Sequence, residues 1–137
     1  MMKFNAFVPE LSVTNIAQSK FFYTELLGFY IEYERREDRF AFLSFHGAQF
    51  MLEQRNGHWE TGELHYPFGR GINFQITVPH IAPLVARLRE HNIALFREPF
   101  MSEYAVGETS VREIEFLVQD PDGYLLRFSQ RCNEENS

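Results

Sequence analysis

Apolar and polar residues alternate along Phe4–Val13. Phe7, Pro9, Leu11 and Val13 fall on one side, Val8, Glu10 and Ser12 on the other. A period of two marks a strand with two unlike faces. Pro9 within the run points to an edge or a bulge, since proline cannot donate to a ladder. The period then changes. Asn15 offers an N-cap, Ile16, Phe22, Tyr23, Leu26 and Leu27 make the apolar side of a helix, and Gly28 stands where a helix stops. Three more strands are predicted at Phe29–Arg35, Phe40–His46 and Gln49–Gln54, with His46-Gly47-Ala48 joining the last two.

The second half repeats this order. Ile72, Phe74, Ile76 and Val78 alternate with Asn73, Gln75 and Thr77, the clearest strand pattern in the chain. Ile81, Leu84, Val85 and Leu88 give a helix face that Glu90-His91-Asn92 closes. Strands near Ala94–Phe100, Val111–Val118 and Tyr124–Ser129 follow, and Asp122-Gly123 is expected to supply the positive φ angles of a tight hairpin. The pattern predicts an α+β fold of two tandem βαβββ modules, each a cupped mixed sheet with its helix outside. Module one covers about 4–54 and module two about 71–130 of a single domain spanning 1–137. The linker between them, about 56–70, lacks periodicity and carries Trp59, Tyr66 and Phe68 with His58 and His65. A stretch of that length is often functional.

Composition narrows the function. With 45% apolar residues the chain can bury a core. Its 15 Phe residues exceed what one small core needs, so some are expected in a pocket, in a subunit interface or as extra core. Lys plus Arg number 13 against 19 Asp plus Glu, for a formal charge of −6. Without a basic run this argues against nucleic acid. The charge would welcome a cationic small molecule, or simply keep the protein soluble. Cys132 is the only cysteine, so no internal disulfide can form, in keeping with a reducing cytoplasm. No signal peptide or membrane span is expected. The five His residues show no metal spacing on one element, and neither a nucleophile elbow nor a phosphate loop is present.

Phe42 and Phe50 are predicted on the cupped faces of their strands, where they suit an aromatic binding cavity or equally a core. Glu10 is expected on the same face, as a ligand contact or as a hydrated carboxylate. Trp59 could stack on a planar ligand, or plug a seam between modules or subunits.

The run Val13-Thr14-Asn15-Ile16-Ala17-Gln18-Ser19, with Phe21-Phe22-Tyr23 and Leu27-Gly28-Phe29, resembles the opening signature of the glyoxalase/bleomycin-resistance/dioxygenase (vicinal-oxygen-chelate) superfamily. Asp120-Pro121-Asp122-Gly123-Tyr124 resembles its closing hairpin. The likeness runs from about Phe4 to Gln130. Enzymes of this superfamily hold a divalent metal with four side chains, two from each module. The resemblance maps those positions onto Val8, Leu52, Asn73 and Arg127. Val and Leu have no lone pair to give, and Arg is cationic, so no metal and no cofactor is expected. A shift of one residue would bring Glu53 to the place of Leu52, reversing its face.

In this respect the chain resembles the bleomycin-resistance proteins, which bind an antibiotic without degrading it. The resemblance implies metal-free sequestration of a cationic glycopeptide antibiotic or similar small molecule, no catalytic residues, and a homodimer with grooves where modules of two chains meet. The groove would be lined by Glu10, Ser12, Phe42, Phe50, Leu52, Asn73, Gln75 and Arg127, with Trp59 and Phe68 as neighbouring loop residues. Arg127 would pair with Glu10 or meet an anionic group. The rival expectation is a metal-dependent lyase or dioxygenase with a shifted site. A third is a structural or regulatory dimer whose cavity its own aromatics fill.

Overall fold

A computed structural model describes residues 2–132. The elements are β1 (Glu10–Val13), α1 (Ile16–Phe21), β2 (Tyr30–Arg35), β3 (Phe40–Phe45), β4 (Ala48–Gln54), β5 (Asn73–Thr77), α2 (Ala82–Glu90), β6 (Arg97–Val106), β7 (Thr109–Gln119) and β8 (Leu125–Cys132). They make two four-stranded mixed sheets, ordered β1-β4-β3-β2 and β5-β8-β7-β6. In each, the first strand runs parallel to the last and the other pairings are antiparallel. The two βαβββ modules thus share one strand order, as the repeated pattern predicts. Two compact units result. The first runs to Phe68 and includes Pro121–Gly123; the second holds Gly69–Asp120 and resumes at Tyr124.

Asn15 caps α1 as expected, its side chain accepting from the Gln18 amide at 3.0 Å. A wider turn over Phe22–Leu26 continues the helix, and Gly28 ends it at φ 90°. The core of the first unit lies between this helical segment and one sheet face. Tyr23 meets Phe50 edge-on at 5.8 Å, and Phe29 stacks on Phe50 at 5.6 Å. In the second unit Ile76, Phe116, Val118, Leu126 and Phe128 are buried, as are Leu84, Val85 and Leu88 of α2. The amide of Ile16 donates to the Gln54 side chain at 3.1 Å, and that of Ile81 to Gln130 at 3.0 Å. Each helix entry is therefore tied to the end of its module's last strand by the same device. Among the described residues no helix is long and apolar enough to cross a membrane.

Three local expectations change. The first strand begins at Glu10, not Phe4. Ahead of Pro9 the chain bonds to side chains instead: Asn5 N donates to Gln49 Oε1 at 2.8 Å. The sixth strand begins at Arg97 and runs to Val106. It is an edge strand exposed along most of its length, so it carries no apolar alternation to read. In the β7–β8 connection only Gly123 has a positive φ, at 95°. Asp122 does not, because the chain turns through a wider loop in which the Asp120 amide donates to the Tyr124 carbonyl at 2.9 Å. A Cβ at Gly123 would lie 2.5 Å from that of Pro67, so only glycine fits.

Candidate ligand-binding site

Strand register decides which side chains share a face. In the first unit Glu10 pairs with Met51, Met51 with Phe42 and Phe42 with Tyr33. One step along, Ser12 pairs with Glu53, Glu53 with Phe40 and Phe40 with Arg35. These two rows form the face opposite the helix. Phe50 and Leu52 are not on it. Leu52 pairs with Leu11 and Ala41, is wholly buried, and belongs with Phe50 to the helix side. The expectation that Phe50 and Leu52 line the cupped face is therefore corrected. The physical reason is that Phe40, Ala41, Phe42 and Leu43 are all buried, so apolar alternation does not mark the faces of this ribbon.

The opposite face is acidic at one end and aromatic at the other. Burial and the Glu53 carboxylate push Glu10 above the ordinary carboxylate range, and Arg35 offsets this only in part. Arg35 has its own partners: Asp38 at 3.3 Å and the Phe40 ring, 3.9 Å below its guanidinium. Tyr33 stacks on Phe42 at 5.3 Å, and Phe4 stands edge-on to Phe42 at 5.4 Å. At the end of β4 an open cleft of about 490 Å³ is lined by Glu37, Asp38, Glu53 and His58 among others. Glu53 thus borders both the face and the cleft.

The linker lies beside this cleft. Arg55 pairs with Glu60 at 3.1 Å, which holds the Glu60 carboxyl below its usual range. Glu60 also accepts from the Gly57 amide at 3.0 Å. Trp59, within the loop so braced, is 67% exposed, with His58 edge-on at 6.3 Å. Phe68 differs. Its ring is buried and its amide donates to the Asp122 carbonyl at 2.8 Å. It lies in the loop, as the sequence suggests, but its ring is part of the packed interior of the first unit.

In the second unit Gln75 pairs with Arg127, and Arg127 with Leu117. Asn73 and Thr77 share that face with Gln75, as predicted. An interaction network runs across it. Arg127 Nη2 donates to Gln75 Oε1 at 2.8 Å, and Gln75 Nε2 to Glu113 and to Ser129, each at 3.3 Å. Arg127 Nε lies 3.6 Å from Glu115, whose other oxygen accepts from Tyr104. Arg131 pairs with Glu113 at 3.5 Å. Glu115 is 0% exposed, and Glu113 is also buried. Arg127 therefore answers Glu115 of its own sheet. Sequence reasoning missed Glu113 and Glu115. The signal was present in Glu113-Ile114-Glu115-Phe116, where acidic and apolar residues alternate in a strand.

The same register settles the position matching Arg127. Gln75 pairs with Arg127 as Glu10 pairs with Met51, so the matching residue is Met51 and not Leu52. The mapped set becomes Val8, Met51, Asn73 and Arg127. A thioether, an amide, a hydrocarbon and a cation do not fit a divalent metal that requires carboxylate or imidazole donors. Among the described residues no group of three or more His, Cys, Asp or Glu is arranged to hold a metal ion.

Repeated βαβββ units, with polar side chains on one face of each sheet, define the vicinal-oxygen-chelate class of fold. The chain belongs to the glyoxalase/bleomycin resistance protein/dioxygenase superfamily, whose profile matches residues 3–128. A superfamily member from Vibrio splendidus 12B01 is 34% identical over 90% of this chain and 95% of its own, with a TM-score of 0.42. A virulence protein from Salmonella typhimurium is 22% identical over 96% of this chain and 100% of its own, at 0.69. A glyoxalase/bleomycin resistance protein/dioxygenase from Alicyclobacillus acidocaldarius is 19% identical over 96% and 95%, at 0.63. These last two are likenesses of fold. No curated protein matches the chain.

Proposed function

We propose that this chain binds and sequesters a cationic small molecule carrying an aromatic group, of the bleomycin kind, without metal and without chemistry on the guest. One observation carries the reading. The positions to which the family resemblance assigns metal ligands hold Val8, Met51, Asn73 and Arg127, and Arg127 is committed to Glu115. The acidic and aromatic rows of the first unit supply what such a guest needs. Glu10 and Glu53 offer charge, and Tyr33 and Phe42 offer apolar contact. A cation beside Glu10 relieves the cost that burial and Glu53 impose on its carboxylate.

Titration calorimetry with bleomycin and phleomycin tests the reading. Binding is expected to weaken as salt is raised, and to depend less on salt in Glu10→Gln, because screening acts on the charge contact. Trp59→Ala is expected to cost more than about 1 kcal/mol of binding if the exposed indole closes on the guest. Absence of heat and of any melting shift at millimolar drug rejects sequestration of this ligand class.

A second reading rests on one specific observation, the neighbouring carboxylates Glu10 and Glu53. It makes the protein a metal-dependent lyase or dioxygenase of the superfamily with a shifted site. Elemental analysis decides between them. The binding reading expects no stoichiometric Zn, Ni, Fe or Mn and no change of Tm with chelator; a full equivalent bound through Glu10 and Glu53 favours the enzyme.

A further inference from the structure

The segment before β1 crosses the polar–aromatic face and is fastened to the β3–β4 turn. Gln49 is the anchor. Its amide oxygen accepts from Asn5 N at 2.8 Å, and its amide nitrogen donates to the Lys3 carbonyl at 2.8 Å. Asn5 Nδ2 adds a bond to the Gly47 carbonyl at 2.9 Å. All three bonds are exposed to water. The residue between the anchors is Phe4. Its ring lies edge-on to Phe42, at 5.4 Å and 88°, and to Tyr33, at 6.5 Å and 77°. Phe42 beneath is 2% exposed, while Phe4 itself is 58% exposed.

We propose that Phe4 is a displaceable plug on an aromatic subsite made by Tyr33 and Phe42, and that a planar aromatic cation takes its place. The argument has three parts. Phe4 is 58% exposed, so it gains little burial from the contact, and an aromatic guest that covers Tyr33 and Phe42 replaces the area its departure bares. The bonds holding the strap are exposed, and exposed hydrogen bonds with few buried contacts open most readily. The charge lies in the right direction. Glu10 sits on β1 and Phe42 on β3, with Met51 of β4 between them in one register row. Two strand spacings separate them by roughly 10 Å. The subsite therefore takes a ring whose cationic centre lies roughly that far away, where Glu10 and Glu53 meet it. The edge-on geometry also assigns the exchange a direction. A flat guest stacks on the ring pair face to face, a contact that Phe4 does not make.

This inference rests on the binding reading above for the nature of the guest, but its test does not need the natural ligand. Thioflavin T, a planar aromatic cation, is titrated by fluorescence into wild type, Phe4→Ala, Gln49→Ala and Phe4→Ala/Glu10→Gln. A plug that fills its own site lowers apparent affinity by the fraction of open molecules. Phe4→Ala is expected to tighten dye binding roughly ten-fold, and Gln49→Ala to do the same in part by releasing the strap. Adding Glu10→Gln is expected to reverse most of the gain. Equal or weaker dye binding in both Phe4→Ala and Gln49→Ala overturns the proposal, as does the absence of dye binding in every variant. If the dye behaves as expected and bleomycin binds no variant, the sequestration reading falls and the plug stands. If bleomycin binds wild type and Phe4→Ala equally, the plug falls and sequestration stands.

Discussion

Glu10 owes its chemistry to residues far away in sequence. Its carboxyl is raised by burial and by Glu53, and Arg35 restores only part of the cost. A carboxyl with a raised folded-state pKa binds protons on folding. Its favourable contribution is complete below the ordinary carboxylate range and is lost as pH rises through the raised value. Glu10→Gln is therefore expected to raise Tm at about pH 7 and to leave it unchanged at about pH 3, where the side chain is protonated in both states. Melting curves at the two pH values check the sign. Arg127 presents the opposite case. Its guanidinium faces Glu115, which has no access to water. Arg127→Leu takes the cation from that carboxylate and leaves it the Tyr104 hydroxyl, and is expected to cost about 3 kcal/mol, the low end for a broken buried pair because Tyr104 remains and Arg127 itself is partly exposed. Adding Glu115→Leu is expected to recover most of the loss, and urea denaturation of the three proteins measures both steps.

At the scale of the element, the signals that were legible are those with a local cause. Asn15 caps a helix because its side chain reaches an amide three residues on, and this can be read from neighbours in the chain. Asn15→Ala is expected to cost about 1 kcal/mol in thermal or chemical unfolding. The strand Asn73–Thr77 is legible because one of its faces is apolar and the other polar. In β3 and β4 that contrast fails. Phe40, Phe42 and Phe50 are all buried, yet Phe50 lies on the other side of the sheet from the first two. Leu52 was misplaced for the same reason. A strand apolar on both sides keeps its register in the ladder, not in its alternation. The bond between each helix entry and a glutamine at the far end of its module was equally hidden, since it spans 38 residues in one unit and 49 in the other.

For the whole molecule, the two units share one strand order and differ in what their faces carry. One unit presents carboxylates and rings, the other a network of amides, arginines and buried glutamates. Exposed apolar side chains remain on both, Phe7 and Trp59 in the first and Phe96 and Met101 in the second. Apolar surface of this kind favours self-association, and the family resemblance implies a two-fold dimer. Sedimentation at micromolar concentration is expected to show a dimer, one that buries more than roughly 1,200 Å². A monomer alone at that concentration refutes it.

The tip of the last hairpin carries a consequence for how the protein comes apart. The Asp122 side chain accepts from the Thr14 amide at 3.0 Å and its carbonyl from the Phe68 amide at 2.8 Å, so the first unit is completed by residues that follow β5 to β7 in the chain. A ribosome that has released only the first half has not yet supplied them. The first half of the sequence accordingly does not close its own unit, and melting of the whole chain is expected to be a single cooperative event. Calorimetric and van't Hoff enthalpies should agree for wild type. Asp122→Ala removes the side-chain bond to Thr14, keeps the carbonyl bond to Phe68, and is expected to lower the Tm.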